Sequence, residues 1–173
     1  MKPIRILVLL LLACSLMACS LSVNVPKIRT GVTETKTIDE TAGSSADPVT
    51  ISIEMGAGSL KIAPGASSTL QGTVDYNVAD WEPKITNSGN SIKVTQTSTS
   101  SVGIPSGQIH NSWDLLLGSA PMDLNISTGA NEGTFDLGGL AITHLLISDG
   151  ASKTKITFDT LNPVSMEQLE YHT

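Results

Sequence analysis

Four stretches of this chain are written to one pattern, and that pattern restricts the fold more than anything else in the sequence. Ile51-Ser-Ile-Glu-Met55, Leu124-Asn-Ile-Ser-Thr128, Leu145-Leu-Ile-Ser-Asp149 and Leu169-Glu-Tyr-His-Thr173 carry apolar or aromatic residues at matching offsets. The first three run straight into Gly-Ala, at Gly56-Ala57, Gly129-Ala130 and Gly150-Ala151, and Gly129 and Gly150 lie 21 residues apart. In the second and third copies the apolar pairs Phe135/Leu137 and Ile156/Phe158 follow at equal offsets, then Leu140 and Leu161. A period of this length marks a solenoid, whose units cannot bury their apolar faces alone and must stack. The repeat predicts an all-β chain folded as a single-stranded β-helix or solenoid-like stack of short strands. Glycine would sit at a corner where a Cβ would hinder the turn, and alanine beside it would allow close stacking on the next rung. The competing arrangement is an irregular β-sandwich whose hairpins use Gly-Ala turns.

The fourth copy reaches Thr173 without its Gly-Ala. Half a rung leaves an open strand edge, which natural sheets cover or cap. The expectation is therefore a chain truncated at its C-terminal end, whose gene continues into a further Gly-Ala.

The text between the repeats also reads as strand. Val49, Ile51, Ile53 and Met55 alternate at period two, as do Leu60/Ile62, Ile92/Val94, Leu115/Leu117 and Leu124/Ile126. Glycine, proline and Asn-Ser-Gly-Asn clusters interrupt these runs. Only Val164–Tyr171 leaves a helical turn as a competitor. Charged residues are 15% of the chain, against roughly 25% in ordinary soluble domains. The surplus of Ser, Thr and Asn suits pleated surfaces better than helices.

The first eighteen residues are an export signal. Lys2 and Arg5 precede the apolar run Ile6–Ala13, and Leu16-Met17-Ala18-Cys19 puts a small residue before a cysteine. Leu-x-Ala-Cys resembles the lipobox of bacterial lipoproteins, which implies diacylglyceryl transfer to the Cys19 thiol and cleavage before it. Leu11-Leu12-Ala13-Cys14 fits more loosely and lies inside the apolar run; the other alternative is a plain secretory cut after Ala18. Two or more acyl chains hold a protein stably at a membrane without a spanning helix. Ser20 after the cysteine resembles the outer-membrane default, should the host have two membranes. The boundaries that follow are a signal peptide at 1–18, a lipidated tether at 19–30 and a β-helical domain at 31–173.

Of the two cysteines Cys14 falls in this leader and Cys19 would carry the lipid, so a mature chain has no disulfide framework. Cleavage removes Lys2 and Arg5 and no acid, leaving 8 basic residues against 16 acidic ones. Such a balance gives no electrostatic footprint for nucleic acid or anionic lipid.

Several stretches together resemble the toast-rack domain family of bacterial envelope proteins, which is related to adhesin-like proteins. They are Ile53-Glu-Met-Gly-Ala-Gly-Ser-Leu-Lys-Ile62, Tyr76 with Trp81-Glu-Pro-Lys-Ile85, Trp113-Asp-Leu-Leu-Leu117 and Pro121-Met-Asp-Leu-Asn-Ile-Ser-Thr-Gly-Ala130. The resemblance spans roughly residues 30–173. It implies a β-helix with strands stacked like a rack, and no enzymatic activity.

No catalytic or cofactor motif emerges. His110, His144 and His172 have no ligand spacing, although His144 and His172 lie near equivalent strand ends; no metal and no cofactor is expected. Asp123, Asp136, Asp149 and Asp159 read as turn acids accepting backbone hydrogen bonds. Ser152-Lys-Thr-Lys155 matches Ser-x-x-Lys, but in an alternating strand it lacks the helix that sets Lys beside Ser. Trp81 and Trp113 are either a sugar-stacking face for cell-wall glycan or, with Tyr76 and Tyr171, caps on the strand stack; capping is favoured. The expected function is a membrane-anchored, extracytoplasmic, non-catalytic adhesin-like binding or scaffold module of the envelope. Its partners would be the membrane through its lipid and a cell-wall glycan or an envelope protein. The alternative is an envelope-stress sensor working through a protein partner.

Overall fold

The computed structural model describes residues 27–44, 46–97 and 104–173. The expected signal peptide, Cys19 and most of the expected tether lie outside the described residues. Eleven strands and a single 3-10 turn at Ala79–Trp81 make up the described secondary structure. Val164–Tyr171 forms no helix; its end is strand. Among the described residues no helix is long and apolar enough to cross a membrane.

The repeat becomes a stack of parallel strands: β3 (Val49–Pro64), β9 (Met122–Asp136), β10 (Ile142–Thr157) and β11 (Gln168–His172). Ile51, Leu124, Leu145 and Leu169 face one another across successive strands, and so do Ile53, Ile126, Ile147 and Tyr171. Ala57, Ala130 and Ala151 form a third column. The sequence repeat is thus the hydrogen-bond register itself. A one-residue slip would turn each apolar column out to solvent.

Each long strand passes through its Gly-Ala without a break, and the core-facing positions change parity there. In β3 they are Ile51, Ile53 and Met55 before the corner, and Leu60 and Ile62 after it. In β9, Leu124 and Ile126 give way to Asn131 and Phe135. The chain therefore turns a corner at glycine, and both arms line one core.

The reason for glycine differs from the sequence expectation. None of Gly56, Gly129 and Gly150 has a positive φ. A Cβ on Gly129 would instead lie 2.3 Å from the Gly56 carbonyl oxygen, and one on Gly150 2.5 Å from the Gly129 carbonyl oxygen. At Gly129 and Gly150 rung-to-rung approach excludes the side chain; the turn does not.

After the second arm, β9 closes its rung through buried Leu137, Leu140 and Ala141. This third side also stacks: Leu137 N donates to Thr157 O at 2.9 Å and Gly139 N to Thr160 O at 3.3 Å. The Asn162 amide clasps the start of β10, accepting from Ile142 N at 3.0 Å and donating to Ile142 O at 2.7 Å.

The other edge of β3 is capped by the excursion through residues 65–121. Its first arm pairs in parallel with β6 (Ser91–Gln96), which carries antiparallel β5 (Pro83–Ser88). Its second arm pairs in parallel with β8 (Asn111–Leu117), followed by antiparallel β4 (Leu70–Tyr76) and β2 (Glu34–Glu40). A separate parallel pair joins β1 (Lys27–Arg29) to β7 (Ile104–Ser106). Ile51, Ile53, Ile62, Leu115 and Phe135 are fully buried, each contributing about 1.5–3 kcal/mol of transfer free energy.

Candidate functional site

Turning a corner leaves backbone groups that the ladder cannot pair, and they must be satisfied another way. The buried polar side chains among the described residues, Gln96, Asn111, Thr128, Asn131 and Asp149, all lie at this corner. Gln96 Oε1 accepts from Gly56 N at 3.0 Å and from Ala57 N at 3.4 Å. Asn111 Nδ2 donates to Ala57 O at 2.5 Å and to Gln96 Oε1 at 3.1 Å. Its Oδ1 accepts from Trp113 Nε1 at 2.9 Å. Two rungs further on, Asp149 accepts from the hydroxyls of Thr128 (2.5 Å), Thr154 (2.6 Å) and Tyr171 (3.0 Å). Burial alone would raise the Asp149 carboxyl; the hydroxyl bonds from Thr128, Thr154, Tyr171 and Ser152 outweigh it and hold the group below the usual carboxylate range.

Outside this corner, where the cap meets the stack, lies a cleft of about 380 Å³. Trp81 and Ile109 supply its apolar wall, Ser59 and Ser112 hydroxyls, and His110 and Glu132 titratable side chains. Two devices position the wall. Val78, fully buried, anchors the 3-10 turn, whose Trp81 N donates to Val78 O at 2.9 Å. Asn77 holds the segment before β8 that brings in Ile109: Nδ2 donates to Gln108 O at 2.8 Å, and Oδ1 accepts from His110 N at 2.8 Å. Ser59 and Ser112, in register on β3 and β8, hydrogen-bond through their hydroxyls at 3.0 Å.

The two tryptophans part company. Trp113 is 1% exposed, sits between Leu60 and Val74 on neighbouring strands and spends its indole N–H on Asn111. It offers no face to a sugar and is corrected to a core residue. Trp81 is half-buried and faces the cleft. Tyr76 is buried in the core, its hydroxyl donating to Glu34 at 3.3 Å, whereas Tyr171 is exposed on the last strand.

The histidines do not converge. His144 Nδ1 meets Asp123 Oδ1 at 2.7 Å and its Nε2 meets Glu167 Oε2 at 3.5 Å; His172 Nε2 meets Glu170 Oε2 at 3.0 Å. The hydrogen bond to Asp123 raises the His144 pKa. No group of three metal-ligating side chains occurs among the described residues. Ser152 lies on the core side of β10 and Lys155 on the solvent side, so they form no dyad. Of the four turn acids only Asp136 takes a backbone donor, Gly138 N at 3.3 Å; Asp123 and Asp149 are bound mainly by side chains. The turn-acid reading misses that Asp149 is the shared acceptor of the corner hydroxyls, although Thr128 and Thr154 flank the same corner in the repeat and mark the donors.

A parallel strand stack with glycine corners and a mixed cleft at its capped end defines a β-solenoid domain. The chain belongs to the family of the N-terminal domain of toast_rack, which matches residues 27–167. A solved structure of a candidate cell adhesion protein from Clostridium sporogenes shares the fold with a TM-score of 0.63 at 20% identity, over 79% of this chain and 68% of that one. A candidate adhesin from Parabacteroides distasonis is more distant, with a TM-score of 0.38 at 12% identity; 75% of this chain matches 59% of that one. No curated protein matches the sequence.

Proposed function

We propose that this chain is a lipid-anchored, extracytoplasmic, non-catalytic binding module of the bacterial envelope, with the Trp81 cleft as its ligand site and cell-wall glycan as its ligand. The observation that carries the reading is the half-buried Trp81 beside exposed Ile109 and a row of hydroxyls. A flat ring packs on the apolar face of a sugar while hydroxyl and carboxylate groups fix its orientation. The adhesion description of the Clostridium protein agrees with a binding role. Trp81→Ala is expected to lower retention on purified peptidoglycan roughly tenfold, the loss of one anchoring contact, with an unchanged melting temperature. Undiminished retention, or retention only of a membrane protein, would sink the glycan reading.

The lipobox supports the anchor. Cys19→Ser should abolish labelling by radioactive fatty acid and release the protein from the membrane fraction. Continued labelling of that variant would overturn lipidation at Cys19.

A further inference from the structure

Asn131 stands apart from the other polar side chains of the corner. It is 6% exposed, and neither its Oδ1 nor its Nδ2 has a hydrogen-bond partner in the protein. Exchanging the two terminal atoms does not help, because both positions lack partners. A buried amide with nothing to bind is rare in folded chains, and where it occurs an ordered solvent molecule commonly completes it.

The surroundings define what would fit. In register with Asn131 are Gly58 on one neighbouring strand, which contributes no side chain, and Ser152 on the other, a small hydroxyl. The Asn111 amide fills the space over Gly58, where a Cβ would lie 2.9 Å from Asn111 Nδ2. Asn111 Oδ1 accepts one bond, from Trp113, and Thr128 Oγ1 donates to Asp149, so both oxygens keep accepting capacity. A ligand that completes both Asn131 atoms must therefore donate and accept at once. A bare cation cannot accept from the Nδ2 hydrogens and an aprotic anion has no hydrogen to give Oδ1, whereas water does both.

We infer that the corner contains an enclosed water-binding site centred on Asn131, distinct from the Trp81 cleft and independent of its ligand.

Oxygen-17 water relaxation dispersion counts long-lived internal waters in solution, and a high-resolution crystal structure locates them. The wild-type protein is expected to show ordered density within hydrogen-bond reach of both Asn131 atoms. Asn131→Leu should lose at least one long-lived water and melt at lower temperature. Density for an Asn131 amide bonded only to protein groups, density refining as an ion, or an equal internal-water count in Asn131→Leu would each overturn the site. If Asn131→Leu fails to fold, the wild-type density alone decides.

Discussion

Gly129→Ala is expected to be among the most damaging single-methyl changes in this protein. The added Cβ would lie 2.3 Å from the carbonyl oxygen of Gly56, and that oxygen belongs to backbone held in register by the β3–β9 ladder. No flexible side chain can move aside. Overpacking normally costs about 1–3 kcal/mol; a backbone-to-backbone clash between two rungs belongs at the upper end, about 3 kcal/mol. For a domain of this size that is a fall of roughly 6–12 °C in melting temperature. Gly31→Ala is the control, since its Cβ would meet only Asn77 O at an ordinary 3.7 Å, and it should shift stability by less than about 0.5 kcal/mol. Thermal unfolding followed by circular dichroism compares the two. If Gly129→Ala melts with the control, close rung stacking is not why glycine occupies the corner.

Asp149→Ala should be comparably destabilising through different physics. It removes the shared acceptor of the Thr128, Thr154 and Tyr171 hydroxyls. Hydrogen bonds to a charged group contribute about 1.5–3 kcal/mol each and do not add fully, so a loss of about 3 kcal/mol is expected. Asp149→Asn keeps an acceptor and should cost less. The pH dependence has a definite sign. The folded pKa of Asp149 is depressed, so its contribution is fully present above the unfolded value of about 3.9. That contribution fades as pH falls from about 5 through the unfolded value to the folded one. Asp123 is also lowered: burial raises it, but bonds from Thr143 and His144 outweigh that. The wild type should therefore lose stability in acid, and Asp149→Asn should lose it with a shallower slope. Parallel slopes from pH 7 to pH 3 would show that Asp149 is not a linked carboxylate.

Local periodicity separates Trp113 from Trp81. Trp113, Leu115 and Leu117 continue a period-two alternation, and all three are core. That alternation is legible in the sequence and marks the indole as core, whatever chemistry its ring could offer. Trp81 lies in a 3-10 turn just before Pro83, where no periodicity tells the inner side from the outer.

What the residues determined unaided is the stack: its all-strand character, the 21-residue rung, the glycine corner and the apolar columns. These are local patterns repeated at a fixed interval, and parallel in-register pairing is the arrangement that buries all copies of such a pattern together. Tertiary structure alone decided that residues 65–121 leave the stack and cap the far edge of β3. It also decided that the parity change fills the corner with polar side chains, and that Trp81 meets Ile109, Ser112 and Glu132 across a cleft. Those contacts join residues of unlike sequence that lie far apart along the chain. No periodicity encodes such pairings; they arise where unsatisfied backbone at a bend and the edge of a sheet find partners in space.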